Sequence, residues 1–279
     1  MQRPGLYVQV FLTFARNGLI RDMTFRVNFV LEVVTSLCWM LIQLGFYVLI
    51  FQYTQSIADW GQYQFFVFMA TTLIINSLMQ TFFLPNAEEF SELIRSGGLD
   101  FALLKPIDTQ FLISMARIQW SALGNCVFGL VLLGYSLWRL YHETGFLPGP
   151  GQVLLYPLYI ACGLAILYGL LTAMAATSIW LGRNQNMYDF WFYVTNFSRY
   201  PMEIYRGTFG TPLRIAFTVL VPVLIVVNVP ARLMARPLSL AEPADWGFPL
   251  LALVMTAATL LVSRWIFHRA LTAYRSASS

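Results

Sequence analysis

Charge is what this chain has least of: charged residues fill 11% of its 279 positions, where soluble domains carry about 25%. Lysine occurs once, as Lys105. It follows a leucine, which excludes a phosphate-cradling loop of the Gly-Lys-Ser/Thr kind. The two histidines, His142 and His268, are far apart and are assigned below to opposite membrane faces, so no metal site is expected. Cys38, Cys126 and Cys162 are odd in number, lie in apolar stretches and lack ligand-like spacing, which argues against both a disulfide framework and a metal cluster. No GxSxG elbow and no clustered intramembrane acid and base suggest a hydrolase or an acyltransferase. No small-residue cleavage site follows a short apolar core after Arg3, Arg16, Arg21 and Arg26, so the first helix is expected to be retained.

What remains is apolar. Hydrophobic residues make up 58% of the chain, in roughly six stretches near or above the ~18 residues that cross about 30 Å of hydrocarbon. The expected fold is one all-α integral membrane domain over 1–279. The net charge of +4 reports orientation rather than a nucleic-acid partner, because in a membrane protein the location of Arg and Lys matters more than their sum. A lead-in helix over 6–20 places Gln9, Thr13 and Arg16 on one face and Tyr7, Val10, Phe11 and Phe14 on the other, the pattern of a helix lying on the membrane surface.

Spans follow at about 28–51, 64–84, 116–138 and 153–182, with a last one at 247–267. The loop around Asp59 holds no Lys or Arg, whereas the loop over 85–117 holds Arg95, Lys105 and Arg117. By the positive-inside rule the second loop and both termini are cytoplasmic, in agreement with Arg264, Arg269 and Arg275 near the end. Two segments compete for the fifth span. Residues 187–205 are aromatic but include Asp189, Asn196 and Arg199. Residues 213–229 are more apolar but short, with Pro222 at their centre, so they form either a kinked span or a re-entrant pair of helices. Hydropathy favours 213–229, since an ionised group at mid-bilayer costs roughly 2.5–3.5 kcal/mol. Charge counting agrees: only Arg139, Arg232 and Arg236 then lie outside, and Arg199, Arg206 and Arg214 join them if 187–205 spans instead.

The loop over 85–110 holds much of the chain's acid. Asn86 stands where an N-cap would be, Glu89 follows as in a capping box, and Gly97 and Gly98 end the run, predicting a short helix over 87–96. On it Glu88, Glu92 and Arg95 share one face and Phe90, Leu93 and Ile94 the other. Such a rod is either a docking element for a partner protein or a solvated connector. In the fourth span Ala161, Ala165, Gly169 and Ala173 recur every four residues, a small stripe suited to close helix packing. Polar residues within spans are Glu32, Gln43, Asn76, Gln80 and Asn125. Glu32 sits close to Arg26, a natural ion-pair partner, and the amides read as interhelical hydrogen-bond partners.

The stretch ELIRSGGLDFALLKPIDTQFLIS at 92–114 resembles the signature of bacterial ABC-2 type permeases, specifically a six-helix, largely uncharacterised group of permease components. FRVNF at 25–29, DWGQYQF at 59–65, SRYPMEIY at 198–205, NVPAR at 228–232 and the terminal YRSASS extend the likeness over essentially the whole length. The resemblance implies a permease subunit of an exporter in the bacterial inner membrane, not itself an enzyme. It would have no cofactor of its own; ATP and Mg would sit on a partner ATPase dimer. A second permease subunit, related but different, and membrane lipid would be its other partners. It implies a coupling helix at 86–98, whose ATPase-facing set would be Asn86, Glu88, Glu89, Phe90, Glu92, Leu93, Arg95, Gly98 and Asp100. It further implies a re-entrant hairpin at 211–234 with 187–205 as the fifth span. The competing classes are a lipid-modifying membrane enzyme, which needs convergent acid, base or metal ligands, and a secondary transporter, which needs inverted repeats or facing intramembrane charges; neither pattern is evident.

Overall fold

The computed structural model describes residues 4–181, 187–237 and 243–274; Arg183, Arg275 and the end of the terminal motif lie outside them. The chain begins with α1 (Pro4–Thr24) and α2 (Arg26–Tyr53), separated only by Phe25, whose N–H still reaches the Arg21 carbonyl at 3.3 Å. A two-strand hairpin, β1 (Ser56–Ile57) and β2 (Trp60–Gly61), pairs Ile57 with Trp60. Ala58 and Asp59 between them take φ of 50° and 65°, the left-handed pair that a two-residue hairpin turn requires. Then come α3 (Gln62–Phe82), α4 (Leu84–Arg95), α5 (Gly98–Leu103), α6 (Thr109–Met115), α7 (Leu123–Thr144) and α8 (Pro150–Ala176). They are followed by α9 (Ser178–Leu181), α10 (Met187–Asn196), α11 (Gly210–Ile215) with a π turn over Ala216–Leu220, α12 (Val223–Ala235) and α13 (Pro243–Ala273).

Among the described residues five helical stretches are long and apolar enough to cross a membrane: Arg26–Tyr53, Gln62–Arg95, Trp120–Thr144, Pro150–Trp180 and Trp246–Ala273. The pair Gly210–Leu220 and Val223–Ala235 passes the same test only jointly and is bent by 91° at Val221 and Pro222. Proline removes the N–H that would carry the helix through. The described part of 187–205 is not one helix. It runs as α10, a 3-10 turn over Phe197–Arg199, an extended Tyr200 and a second turn over Met202–Ile204.

The core is built on α3, with α7 laid along it and α12 and α8 behind. Trp60, Phe65 and Phe68 are fully buried there. α12 is the most enclosed element, 12 of its 13 residues being buried. It has two anchors at the end of the bundle where α3 and α8 begin. Gln64 accepts from the Gly61 N–H at 3.1 Å, capping α3, and donates to the Ala235 carbonyl at 3.3 Å. Gln152 does the same for α8, accepting from Gly149 N–H at 2.8 Å and donating to the Leu233 and Arg236 carbonyls at 2.7 and 2.9 Å. Each amide thus satisfies an orphan donor of one helix start and orphan acceptors of one helix end.

Both sides of the bent pair return to the same turn. Arg206 binds the Asp59 carboxylate at 2.7 Å and Arg236 donates to the Asp59 carbonyl at 2.9 Å. Beside them Glu203, 6% exposed, accepts from Trp60 Nε1 at 3.1 Å and pairs with Arg232 and, at 3.9 Å, with Arg236. This is the hairpin end of the bundle; the loop end carries α4 to α6, where Ser91 Oγ meets Ser178 Oγ at 3.1 Å.

The tightest crossing of α8 and α12 falls on a residue outside the small stripe. A Cβ on Gly163 would sit 2.8 Å from the Val226 carbonyl oxygen of α12, and helix backbone cannot yield as a side-chain tip can. Gly163→Ala is expected to destabilise the protein by about 1–3 kcal/mol through overpacking. The check is the thermal unfolding midpoint in mild detergent, and an unchanged midpoint would mean that α12 is free to shift away from α8.

Candidate functional site

At the loop end, α4 begins three residues earlier than the capping pattern predicts. Phe83 alone separates it from α3, and Pro85 occupies its first turn, where a missing N–H is no loss. Asn86 is therefore inside the helix and caps nothing. It is buried and staples α4 to the chain ahead of α7, donating to the Phe82 and Arg117 carbonyls and accepting from the Arg117 N–H, each at 2.7 Å. Glu89 is likewise not half of a capping box; it pairs with the Arg117 guanidinium. Phe90 is buried, its ring 5.9 Å from that of Phe267 on α13, and Leu93 and Ile94 rest half-buried on the core. Glu88, Glu92 and Arg95 face outward, the last two bonded at 2.6 Å. Gly97, with φ of 74°, turns the chain into α5, and a Cβ on Gly98 would meet Leu93 Cδ2 at 2.9 Å. Asp100 lies in the first turn of α5. Past it, Phe101 and Leu104 are 73% and 81% exposed, with Lys105 beside them. Sequence reasoning passed over this apolar tip, because no periodicity marks so short a helix.

The loop is fastened on two further sides. Asp108 caps α6 by accepting from Phe111 N–H at 3.0 Å, and binds both terminal nitrogens of Arg264 on α13 at 2.6 and 3.1 Å. Arg264 also donates to Gln110 Oε1 at 2.7 Å, and Gln110 and Ser114 each meet the Tyr168 hydroxyl of α8 at 3.0 Å. The Arg264 bond holds the Asp108 carboxyl below the usual carboxylate range. None of these residues was a sequence candidate. The available signal was Arg264, a cation that ends the long apolar run of the last helix. On the other side α1 clamps the segment before α7: Arg21 donates to the Ile118 carbonyl at 3.0 Å, Asp22 accepts from Trp120 N–H at 2.8 Å, and Trp120 Nε1 reaches the Ala15 carbonyl at 3.0 Å.

Between α1, α3, α6, α8 and α13 lies an apolar cavity of about 800 Å³, with the Asp108–Arg264 pair at one margin. Ala161 and Ala165 line it, so the small stripe is only partly a packing surface. Gly169 does pack, a Cβ there falling 2.8 Å from Thr259 Cγ2 of α13, while Ala173 is half-buried.

Four of the five polar residues of the spans share one hollow, and Glu32 lines the neighbouring ones. Glu32 does not pair with Arg26; it accepts from Asn28 at 3.0 Å, from Gln119 at 3.2 Å and from Ser121. Gln43, Asn76, Gln80 and Asn125 face a common hollow between α2, α3 and α7 and, among the described residues, make no interhelical hydrogen bond, contrary to the sequence expectation. Cys38 is exposed, Cys126 half-buried and Cys162 buried, all as free thiols, and no three His, Cys, Asp or Glu side chains converge among the described residues.

The profile described as ABC-2 family transporter protein matches residues 37–278. The chain belongs to the ABC-2 transporter family. No curated protein and no solved structure gives a match. This ABC-2 family member is accordingly a multi-pass membrane component of a transporter rather than an enzyme, and the family implies association with an ABC ATPase.

The double duty of Asp108 in this permease can be tested by ordering variants. Asp108→Asn keeps an N-cap acceptor and loses the ion pair, which at 31% and 44% side-chain exposure is expected to cost no more than about 1 kcal/mol. Asp108→Ala loses the cap as well and should cost about 1 kcal/mol beyond that. Because the folded pKa is depressed, this stabilisation is complete above the ordinary Asp value of about 3.9 and is lost as pH falls through the lowered one. Unfolding midpoints of the variants at pH 7 and pH 3 provide the check: the cost of Asp108→Asn should shrink at the lower pH.

Proposed function

We propose that this chain is the permease subunit of an ABC exporter in the bacterial inner membrane, with its loop end and both termini in the cytoplasm. A separate ATPase dimer, holding ATP and Mg, would drive alternating access for a lipophilic or amphipathic substrate. The observation that carries the reading is the tip Phe101, Leu104 and Lys105. Exposed large apolar residues outside the lipid-facing surface mark a docking site, and these stand beside the acidic face of α4 at the basic end of the bundle. The ATPase-facing surface is accordingly Glu88, Glu92, Arg95 and the α5 tip. Asn86, Glu89 and Phe90 instead transmit, joining that surface to Arg117 and to α13. A second permease subunit, related but different, completes the complex.

Two contact pairs support 187–205 as the fifth crossing and 211–234 as a re-entrant hairpin. Ser178 is held at the loop end by Ser91 and Glu203 at the hairpin end by Trp60, so the chain between them runs the length of the bundle. Arg206 and Arg236 both bind Asp59, so the chain between them leaves and returns.

Phe101→Ser with Leu104→Ser is expected to leave membrane insertion intact and to reduce ATPase recovery in mild-detergent copurification by at least about tenfold, the loss of two apolar anchors. Glu88→Lys with Glu92→Lys should have the same effect without touching the Glu89–Arg117 pair. Stoichiometric recovery of the ATPase with both variants would refute docking at this surface.

A further inference from the structure

The cavity of about 800 Å³ between α1, α3, α6, α8 and α13 takes no part in the docking surface or in the contacts that join it to Arg117. Its volume is that of a ligand site, about 300–1,000 Å³. Phe11, Phe82, Leu164 and Leu260 are typical of its walls. Leu261 also lines it and is 72% exposed, so the cavity opens through the surface of α13 instead of being sealed in the core. Around an apolar spanning helix that surface meets acyl chains.

Only two of the lining residues are charged, and they are the bonded pair Asp108 and Arg264. Neither is used up by the other. Arg264 spends Nη1 on Asp108 and Gln110 and Nη2 on Asp108, while its Nε bonds no described residue. Each Asp108 oxygen keeps acceptor capacity beyond the bonds it takes from Arg264 and the Phe111 N–H. The rim therefore offers an open cationic donor beside an open anionic acceptor. Its depth is marked by the next residue, Trp265, which is exposed and has the Arg269 guanidinium 5.8 Å from its ring centroid. Tryptophan and basic side chains together mark the headgroup level of a bilayer.

We propose that this cavity is a site for a zwitterionic diacyl phospholipid carrying a primary ammonium. The chains fill the apolar walls, the phosphate meets Arg264 and the ammonium meets Asp108. An anionic headgroup would gain Arg264 but set a second negative charge against the Asp108 carboxylate, and like charges repel. A trimethylammonium head balances the charges yet donates no hydrogen bond, whereas a primary ammonium has three donors to place on Asp108. The cavity shares Phe83, Ser114 and Tyr168 with a small void bordered by Asn86 and Phe90 of α4. A lipid seated here thus braces the joint at which α4 leaves α3.

The test is native mass spectrometry of the full-length chain released from nanodiscs holding phosphatidylethanolamine, phosphatidylcholine and phosphatidylglycerol of identical acyl chains in equal amounts. Retention of a single phosphatidylethanolamine per chain, at least about tenfold above either competitor, is expected from one charge-assisted bond gained. Asp108→Asn should turn the preference toward phosphatidylglycerol, because Arg264 then stands as an uncompensated cation; a merely structural role for the pair would not invert it. Ala165→Phe, which fills the cavity and leaves the pair intact, should reduce retention of all three, and is read in place of Asp108→Asn should that variant fail to insert. Equal retention of the three lipids by the unaltered chain overturns the proposal, as does a phosphatidylethanolamine preference that survives both substitutions. Loss of a copurifying second permease with Ala165→Phe, where the unaltered chain retains no lipid, would make the cavity a subunit seat and also overturn it. ATPase copurification is read separately, so each of these failures can occur with the transporter reading intact.

Discussion

A backbone that breaks inside a protein core must find partners for every group it frees, and this fold is arranged around that requirement. α12 starts at a 91° bend and ends within the protein. Left to lipid, its final carbonyls would each cost several kcal/mol. Gln64 and Gln152 take them, and can do so only because they sit at the third positions of α3 and α8, where they also cap those helices. Asn228 completes the arrangement from within α12, accepting from Met202 N–H at 2.8 Å and so holding the turn before α11. Three amides thereby fix one broken helix against three other segments, which explains why the most apolar short stretch of the chain is enclosed by protein.

Charged groups obey the same economy. Glu203, Arg232, Arg236 and Asp59 gather at the hairpin end and Asp108, Arg264, Glu89 and Arg117 at the loop end, each engaged by a bond of long sequence separation. Removing one partner of such a pair leaves the other uncompensated, so these clusters specify geometry more than they add stability. Arg236 also lies 4.7 Å over the Trp60 ring and Arg232 4.9 Å over that of Phe248, further fixing where α12 can end.

Hydropathy and Pro222 made the apolar helices and the break in 213–229 legible in the sequence, and the charge and glycine pattern did so for the amphipathic rod at 87–96, which runs over Leu84–Arg95. Periodicity also separated Phe90 from Glu88 and Glu92 correctly. It failed at Asn86, where a capping signature was read as local although the side chain serves Arg117, 31 residues away. It failed at Glu32 for the same reason, since Gln119 and Ser121 lie 87 and 89 residues on. Local patterns report local partners. The amides of the common hollow were found by type but not by grouping, because residues on α2, α3 and α7 share a wall only after the helices pack. Gly163 was missed because a stripe marks where a helix can be approached closely, and the approach itself depends on the partner.

The distribution of these contacts decides which motions are cheap. α4 is stapled through Asn86 to Arg117, beyond which Ile118 and Trp120 are held by α1 while Gln119 and Ser121 bind Glu32. A displacement applied to the outer face of α4 therefore arrives at the near end of α2 through short polar bonds that resist stretching. At its far end α2 touches the core largely through apolar groups, Leu44 and the rings of Tyr47 on Phe65 and Phe51 on Phe65 and Phe66, at 4.7 to 6.1 Å between centroids. Ring contacts are non-directional and tolerate sliding, whereas charge-assisted bonds do not. The stiff end of α2 borders the hollow lined by Glu32 and the compliant end borders the hollow of the amides. A displacement of the loop would on this arrangement act on the walls of those hollows before it reached the core around α12.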